Sequence, residues 1–595
     1  MRRLLQAALV LLMAGSAAAA GPDGAALYAQ RCAGCHERPE SHAPPRSALA
    51  SRSSINILMA LMTGAMRPQA AGLSHEQVEA IAGYLTAATA AQNATLRPNR
   101  CTSPVVSAHS SGWSGWGLDL ANSRFQPHSG LTAQDVARLQ VKWVFAYPGR
   151  MTWGQPTVMN GRVFVSSTTG QVFALDARTG CTLWSIEVGA PVRSAISVGA
   201  GTGGHEVAYF GDIAANVRAV DADTGREIWR VHVDDHPVAR ITGSPVLFRD
   251  RLLVPVASFE EGSATAAGYR CCTFRGSVVA LDAGTGKLIW KHRTIRAEPK
   301  PYHRKGTATE LLGPAGGSVW NAPTIDPARG FLYVGTGNDY TDIDDSATDA
   351  VLAIDVMSGE LRWARQLRKH DRWSGGCMLA GPCPKRAGTD ADVAASVILV
   401  RLPSGGEVLV AGQKSGVVFG LDPASGGVRW RTKVGYGGVL GGIEWGMAAE
   451  GTTVFVPISD STTDKPGAGR PGLAALDAAT GKVRWWSAAP KPVCAWGTDD
   501  CRGSLSQAVT AIEGVVFAGS QDGHLRAFDA VSGKVVWDID TARSFAAVNA
   551  PAAHGGSLDT GGPVVVDGVV YVNSGYGQFL GHGGNALLAL SVDGR

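Results

Sequence analysis

The sequence predicts a small all-α domain followed by a large all-β propeller with eight blades. Three observations support this fold class. The 595 residues include 76 glycines and 30 prolines, which indicates many turns between short elements, and 45% hydrophobic residues are enough for a large core. A motif that contains one tryptophan recurs seven times in the long C-terminal part, as expected for propeller blades. A short segment with helical spacing and its own cysteine motif precedes the repeats.

The first twenty residues are predicted to be a signal peptide. Arg2 and Arg3 precede an apolar run at residues 4–13, and small residues follow at 17–20, which is the pattern of a secretory signal. Uncleaved anchoring is the alternative, but ten apolar residues are too few to cross a bilayer. We therefore expect an exported protein in the periplasm with no membrane span.

Charge and cysteine content narrow the function classes further. The formal net charge is +4 and is spread along the chain, so no basic footprint indicates nucleic-acid binding. Ten cysteines fit an oxidising compartment. Three close pairs stand out, and if Cys32 and Cys35 are consumed by a cofactor, Cys101 and Cys181 are left over, although sequence cannot prove any pairing. The close pairs are Cys271 with Cys272, Cys377 with Cys383, and Cys494 with Cys501.

Residues 21–90 are predicted to be a cytochrome c domain. The segment Cys32-Ala33-Gly34-Cys35-His36 has the spacing of covalent haem c attachment. Two thiols add to the haem vinyl groups, and the adjacent histidine binds the iron. A zinc or thioredoxin-like interpretation would leave His36 without a role.

The second axial ligand of the iron is expected to be Met66. It follows Thr63-Gly64-Ala65 on a loop, and this stretch resembles small monohaem cytochromes c, in which a loop methionine binds iron. Met59 and Met62 have helical spacing that favours core packing, and His75 is the competing ligand.

A helix is predicted after this loop. Ser74 and Gln77 have the spacing of an N-cap with its capping-box partner. The helix that they begin would pack Val78, Ile81 and Leu85 against the domain core.

The repeated motif reads apolar-Ala-apolar-Asp-x-x-Thr/Ser-Gly-x-x-apolar-Trp. In the first copy, the Asp176 side chain can bond the backbone of the turn, and Gly180 supplies the positive φ that closes it. The chain then reverses into a strand that presents Trp184 to a neighbouring sheet. The remaining copies centre on Asp221, Asp282, Asp355, Asp422, Asp477 and Asp529.

Two incomplete copies predict an eighth blade. Residues 585–594 form a repeat that stops before its tryptophan, and residues 139–145 form a tryptophan strand with no preceding turn. Together they would close the ring, so residues 131–595 are predicted to be the propeller and 91–130 a linker that leads into it. Seven blades with frayed ends is the alternative.

The haem motif and the repeat together resemble the quinohaemoprotein alcohol dehydrogenases, whose propeller holds pyrroloquinoline quinone (PQQ). The order of the two domains is most similar to members that oxidise polyvinyl alcohol. In this family a tryptophan forms the floor under the quinone, and an asparagine eighteen residues later binds Ca²⁺. Trp320 and Asn338 keep that separation, so the resemblance assigns them these roles.

The resemblance also implies the catalytic residues. Asp390-Ala391-Asp392 matches the family's catalytic-aspartate segment, with Asp390 as base and possible Ca²⁺ ligand, Asp392 as its alternate and Asp371 as the fallback. Residues 374–389 are interposed where the family has no such segment. Lys414 stands where the family places a cation on the quinone carbonyls.

Further cofactor contacts are implied by the same resemblance. Thr242 is expected to contact a quinone carboxylate, and Trp445 lies in a turn that resembles a quinone-contacting turn. A vicinal disulfide of Cys271 and Cys272 is expected to cover the ring, although relatives carry theirs in an earlier blade. Because many relatives have a glutamate metal ligand near this segment, one Ca²⁺ ligand is expected to be missing or replaced.

The expected function is oxidation of secondary hydroxyls of polyvinyl alcohol to ketones. Hydride would pass to PQQ, and electrons would pass through haem c to an external cytochrome c or similar acceptor. The same cofactors acting on a small alcohol or aldehyde is the alternative. A non-catalytic propeller scaffold fused to a cytochrome is a third hypothesis, from a different class.

Overall fold

The structure is a computed structural model that describes most of the chain. It describes residues 22–38, 41, 43, 46, 49, 57, 60, 61, 66–86, 96–102, 112–201, 204–265, 269–304, 310–378, 381–462, 467–497 and 501–595. The predicted signal peptide, Met59 and Met62 lie outside the described residues.

The N-terminal segment is helical, as predicted. Ser74 and Gln77 form the expected capping box, in which the Gln77 backbone N–H donates to Ser74 Oγ at 3.2 Å and the Ser74 N–H donates to Gln77 Oε1 at 2.9 Å. The helix that follows buries Val78, Ile81 and Leu85, so this prediction is confirmed. The helices span Gly24–Arg31, Ala33–His36, Arg67–Ala70 and His75–Thr86.

Eight four-stranded antiparallel sheets follow, numbered here as blades 1–8. Blades 1–4 comprise Thr157–Met159, Arg162–Ser166, Gln171–Asp176 and Thr182–Glu187; Ser197–Ala200, Glu206–Gly211, Asn216–Asp221 and Glu227–His232; Val246–Phe248, Arg251–Ser258, Ser277–Asp282 and Leu288–Arg293; and Thr324–Asp326, Phe331–Gly335, Ala350–Asp355 and Leu361–Gln366. Blades 5–7 comprise Ile398–Arg401, Glu407–Gly412, Val417–Leu421 and Val428–Lys433; Ala448–Glu450, Thr453–Ile458, Gly472–Asp477 and Val483–Ala488; and Thr510–Ile512, Val515–Gly519, His524–Asp529 and Val535–Asp540.

Blade 8 closes the ring with strands from both ends of the propeller. Val564–Val566, Val569–Ser574 and Ala586–Val592 come from the C-terminal end, and Leu139–Ala146 supplies the fourth strand. The closing strand is antiparallel, with Val144 opposite Leu588. The predicted eight-bladed propeller is confirmed.

The repeat turn works as the sequence predicted. Asp176 Oδ1 accepts hydrogen bonds from the backbone N–H and the hydroxyl of Thr179, at 2.8 and 2.7 Å. Gly180 has a φ of +71° and lies so close to the Trp143 ring that an added Cβ would stand 2.8 Å from it. The indole N–H of Trp143 donates to the carbonyl of Ala177 at 3.1 Å. Seven of the eight blades, all except blade 7, thus dock a tryptophan on the turn glycine of the next blade.

The core lies between adjacent blades. One apolar cluster joins Leu253 and Val278 of blade 3 to Ile325 and Leu352 of blade 4. The fourth strands are the exposed ones, whereas the first three are mostly buried, so the first strands lie toward the centre of the ring.

A few elements lie outside the blades. Phe125–Gln126 pairs in parallel with blade 7, Ala239–Arg240 pairs with blade 3, and two hairpins join Lys300–His303 to Glu310–Gly313 and Ser544–Ala547 to Ala550–His554. Short helices span Ala133–Val136 and Glu260–Ser263, with a 3₁₀ turn at Gly375–Cys377. Within the described residues, no helix is long and apolar enough to cross a membrane.

Four disulfides tie the chain together, and they use the expected pairs. They join Cys101 to Cys181, Cys271 to Cys272, Cys377 to Cys383, and Cys494 to Cys501. Cys32 and Cys35 are not bonded to each other or to another cysteine, which leaves both thiols for cofactor attachment.

Candidate active site

Segments that lead into the first strands of several blades meet at one cavity of about 240 Å³. Arg193, Thr242 and Trp320 each stand four residues before the first strand of blades 2, 3 and 4. Because the first strands lie toward the centre of the ring, equivalent positions in successive blades converge on the same space. The fold therefore builds the cavity by repetition.

The structure brings most of the predicted quinone-site residues together. Six of them line the cavity: Thr242, Trp320, Asp390, Asp392, Lys414 and Trp445. Asn338 lies beside them, since its backbone N–H donates to Asp392 Oδ1 at 2.9 Å.

The predicted base and the predicted cation form one buried pair. Lys414 Nζ stands 2.5 Å from Asp390 Oδ2, and their side chains are 8% and 2% exposed. Burial raises the pKa of Asp390 well above its usual value, and the Lys414 ammonium opposes that rise. Burial lowers the pKa of Lys414, but the carboxylates of Asp390 and Asp392 outweigh it and hold the pKa above its ordinary value. Lys414 is therefore the positively charged member of this buried pair.

Asp392 orients the floor tryptophan. Its Oδ2 accepts the indole N–H of Trp320 at 3.1 Å, and its Oδ1 accepts the Asn338 N–H. Both oxygens are therefore in use, which favours Asp390 over Asp392 as the proton acceptor. Trp445 meets the Trp320 ring edge-on, with centroids 5.3 Å apart and planes at 78°, so one face of Trp320 is free of that contact.

Asp371, the fallback base, has another role in the structure. Its Oδ1 accepts the Thr389 N–H at 2.7 Å, and its Oδ2 accepts the Ala391 N–H. These two residues flank Asp390, whose φ of +60° lies in the left-handed region. Asp371 does not line the cavity; it fixes the backbone that carries Asp390.

The structure places the expected disulfide cover behind the cavity lining, so its role over the ring stays a prediction. Cys271 and Cys272 are buried in an apolar cluster with Phe274 and Tyr340, and they do not line the cavity. Cys271 Sγ lies 3.6 Å from the carbonyl oxygen of Tyr340, which does line it. Glu260 accepts the Phe274 N–H at 2.7 Å and so holds the backbone that follows the disulfide.

Three carboxylates that sequence reasoning missed also face the cavity. Glu261 comes from the helix Glu260–Ser263, Glu444 precedes Trp445, and Asp559 accepts the Trp445 indole N–H at 2.5 Å. Burial raises the pKa of Glu261 to about 8, with Asp392 adding to the rise. Burial and the Asp559 charge raise the pKa of Glu444 to about 8 as well.

Two arginines were missed in the same way. Arg193 lies over the Trp445 ring, 4.6 Å from its centroid, and Arg240 lies over Phe259 at 4.5 Å. Burial, with Arg193 nearby, lowers the pKa of Arg240 to about 10. For Arg193 a signal existed, because it occupies the position in blade 2 that Thr242 and Trp320 occupy in blades 3 and 4.

These residues fit the expected quinone. PQQ is a flat tricarboxylate, and the cavity combines the indole of Trp320 with the cations Arg193, Arg240 and Lys414. An aromatic face and convergent cations suit such a ligand. Arg240 Nε is buried without a hydrogen-bond partner, so it remains available to an anionic group.

The fit to Ca²⁺ rests on fewer atoms. Asn338 Oδ1 and Asp390 Oδ1 are buried and have no hydrogen-bond partner, and hard oxygens of this kind are the ligands that Ca²⁺ prefers. Over the described part of the chain, no group of three or more His, Cys, Asp or Glu side chains has metal-site geometry. Glu261 offers a further carboxylate, from a different segment than the Cys271–Cys272 segment near which a glutamate ligand was expected.

The haem segment has a compatible arrangement. His36 ends the helix Ala33–His36 and is 7% exposed. Cys32 and Met66 pack against the same apolar cluster, which includes Tyr28 and Ile81. Met66 precedes the helix Arg67–Ala70, as a loop ligand should. The competing ligand His75 is the first residue of the last helix, and its side chain is not among those that the structure describes.

Comparisons with known protein families match both the helical N-terminal segment and the propeller. The profile of the glucose/ethanol/alcohol dehydrogenase β-propeller domain, the PQQ family, matches residues 113–427. The profile of cytochrome c oxidase, cbb3-type, subunit III matches residues 19–85, and that of the outer membrane protein assembly factor BamB matches residues 414–590.

Full-length relatives extend this result. A polyvinylalcohol dehydrogenase of Pseudomonas sp. is 42% identical over 99% of this chain and 97% of the relative. A polyvinylalcohol dehydrogenase of Sphingopyxis sp. (strain 113P3) is 38% identical over 96% and 93%. The solved quinohemoprotein alcohol dehydrogenase ADHIIG of Pseudomonas putida HK5 has the same fold, with a TM-score of 0.63 at 18% identity, covering 82% of this chain and 81% of that one. The chain belongs to the family of PQQ- and haem c-dependent alcohol dehydrogenases.

Proposed function

We propose that the protein oxidises secondary hydroxyl groups of polyvinyl alcohol to ketones. The observation that carries the chemistry is the buried Asp390–Lys414 pair at the cavity end beside Trp320. The polymer as substrate is supported by two relatives of that name that align over nearly the whole chain. A small alcohol remains the competing substrate for the same site.

Asp390 is proposed to take the hydroxyl proton. Its Oδ1 is buried and has no hydrogen-bond partner, whereas its Oδ2 is engaged by Lys414. A general base must reach the proton that it abstracts, so Oδ1 is the acceptor. Asp371 holds the backbone on both sides of Asp390 and so keeps this oxygen aimed at the substrate.

Lys414, in direct contact with Asp390, would stabilise developing negative charge. When bound, PQQ supplies an electrophilic dione that takes up hydride, and haem c supplies a one-electron relay. Lys414 would hold a quinone carbonyl oxygen, since preorganised charge in a dry site is effective at developing negative charge. Arg193, Arg240 and Thr242 would hold the carboxylates, and Trp320 the flat face.

The metal, the axial ligands and the cellular context complete the proposal. Ca²⁺ would be held by Asn338 Oδ1 and the Glu261 carboxylate, because Asp390 Oδ2 is engaged by Lys414 and its Oδ1 is the proposed proton acceptor. His36 and Met66 would bind the haem iron, attached through Cys32 and Cys35. Electrons would pass to an external cytochrome c or a similar acceptor in the periplasm.

Haem reduction by the purified holoenzyme tests the substrate. We expect polyvinyl alcohol to reduce the haem with a higher kcat/KM per accessible hydroxyl than 2-propanol does. Faster reduction by 2-propanol would favour the small-alcohol alternative. No reduction by any alcohol, with PQQ and haem both present, would contradict the catalytic role.

A further inference from the structure

The segment inserted before Asp390 forms one wall of the cavity mouth. The Cys377–Cys383 disulfide joins the described residues 374–378 and 381–383, and Met378 and Gly375 line the cavity. Met378 is 49% exposed, whereas Asp390 and Lys414 deeper inside are 2% and 7% exposed. This gradient places Met378 on the solvent side of the reacting groups.

Three further apolar side chains line the same cavity as Met378. Val439 and Leu440 come from the loop before blade 6, and Phe579 comes from the loop before the last strand of blade 8; each lines the cavity and is half-buried. We refer to Met378, Val439, Leu440 and Phe579 as the collar. A cavity lined by these apolar side chains and by the buried Asp390–Lys414 pair can perform two tasks, since hydrocarbon can lie against the collar while the hydroxyl reaches the charged pair.

The loop that carries Met378 packs closely against a neighbouring helix. Cβ atoms added to Gly375 and Gly381 would stand 2.7 Å from the carbonyl oxygen of Glu261 and 1.8 Å from that of Ala264. Backbone therefore lies directly on backbone between this loop and the helix Glu260–Ser263. Ser374 adds a hydrogen bond from its hydroxyl to the Pro382 carbonyl at 3.1 Å. The disulfide and this contact fix the position of Met378.

The other two collar loops are braced as well. Asp460 accepts the backbone N–H groups of Tyr436, Gly437 and Gly442 at 2.7, 3.0 and 2.9 Å, which spans the Val439–Leu440 segment. The loop of Phe579 is held where Trp496, inside the Cys494–Cys501 disulfide loop, stacks on His582 with centroids 4.4 Å apart.

The backbone conformation of Phe579 indicates that its part of the collar is rigid. It has a φ of +56°, which is costly for a bulky residue and persists only where the surroundings impose it. Rigid apolar walls bind without an ordering cost. The collar is therefore preorganised for hydrocarbon.

We propose that Met378, held in place by the Cys377–Cys383 disulfide, is the specificity-determining side chain that selects alcohols whose carbinol carbon is flanked by a long aliphatic chain. The hydrocarbon next to the reacting carbon lies against the collar while the hydroxyl points to Asp390. This inference rests on the proposed oxidation of secondary alcohols and names what the same site recognises beyond the hydroxyl. It predicts a preference for long secondary alcohols even where the substrate is not a polymer.

The test compares holoenzymes on 2-propanol, 2-octanol and polyvinyl alcohol, with haem reduction as the readout and PQQ and haem content measured for each variant. Met378→Gln keeps the length of the side chain and makes it polar. We expect it to lower the ratio of kcat/KM for 2-octanol to that for 2-propanol about tenfold, the scale of one methylene contact in a pocket. Opening the loop with C377S/C383S should lower the ratio at least as far.

Met357→Gln is the matched control. Met357 is 50% exposed, as Met378 is at 49%, but it lies in the outer turn after Asp355 and does not line the cavity. It should leave the ratio unchanged. An unchanged ratio in Met378→Gln, or an equal loss on both small alcohols, would overturn the proposal.

The same measurements distinguish a failure of this inference from a failure of the proposed polymer substrate. A wild type that oxidises both small alcohols but not the polymer overturns the polymer substrate, while the 2-octanol to 2-propanol ratio still decides the collar. A wild type that oxidises polymer but shows no preference for 2-octanol overturns the collar alone.

Discussion

Replacing Asp390 with asparagine tests the catalytic assignment, because the change removes the charge and keeps the shape. General-base catalysis contributes about 10²–10⁴-fold, and Asp390 is the carboxylate whose Oδ1 has no partner at the cavity end. We therefore expect kcat for haem reduction by a secondary alcohol to fall by about that factor. PQQ and haem content should stay near the wild-type level.

The same substitution has a calculable effect on stability. Removing one partner of a buried pair costs about 3–5 kcal/mol, and both side chains here are at least nine-tenths buried. Asp392, Glu444 and Glu261 also lie near Lys414, so the loss should be at the lower end, about 3 kcal/mol by chemical denaturation.

Asp392→Asn is the control for this experiment. It keeps one oxygen for the Asn338 N–H or the Trp320 indole, so it should disturb the tryptophan and the KM more than the kcat. A D390N enzyme that keeps more than a tenth of the wild-type kcat, or a D392N enzyme with the larger loss of kcat, would refute the assignment.

Three further predictions concern packing, pH and metal. Gly286→Ala should lower the free energy of unfolding by about 2–5 kcal/mol in chemical denaturation, because the φ of Gly286 is +71° and a Cβ would stand 2.7 Å from the Trp229 ring. The control Gly330→Ala, at a φ of +68° with open space around it, should lower it by only about 1–2 kcal/mol. Equal losses in the two variants would contradict the docking of tryptophan on glycine. A pKa of about 8 for Glu261 means that the free energy of unfolding of the calcium-free wild type falls as pH rises from 4.5 toward 8, by up to about 1.4 kcal/mol per pH unit. The melting temperature of Glu261→Gln should therefore rise relative to that of the wild type over this range. A constant difference between the two melting temperatures would argue against the raised pKa. Ca²⁺ should raise the melting temperature of the wild type but not of Asn338→Ala, and equal shifts would exclude this site.

The propeller could be predicted because the residues that specify each repeat lie close together in the sequence. Asp176, Gly180 and Trp184 lie within nine residues and fix a turn and a docking contact that recur along the chain. Even ring closure was visible, since residues 585–594 and 139–145 complete each other. The domain limits stay a prediction.

The site could be predicted only in part, because it depends on contacts between distant segments. Trp320, Asp390 and Lys414 meet as expected. Glu261 was missed because a helix between two strands of blade 3 brings it to the cavity, and no repeat position marks it. The adjacency of Cys271 and Cys272 predicts their bond, but it does not predict that the pair packs in an apolar cluster with Tyr340 behind the cavity lining.

Cofactor stoichiometry in the wild type and in Trp320→Ala tests the central claim most directly, which is that PQQ lies on Trp320 in the cavity. Denaturation of the purified wild type should release one PQQ per chain, while the polypeptide keeps one covalently attached haem. Trp320→Ala should retain the haem and lose most of the PQQ. No PQQ in the wild type, or equal PQQ in both proteins, would contradict the account.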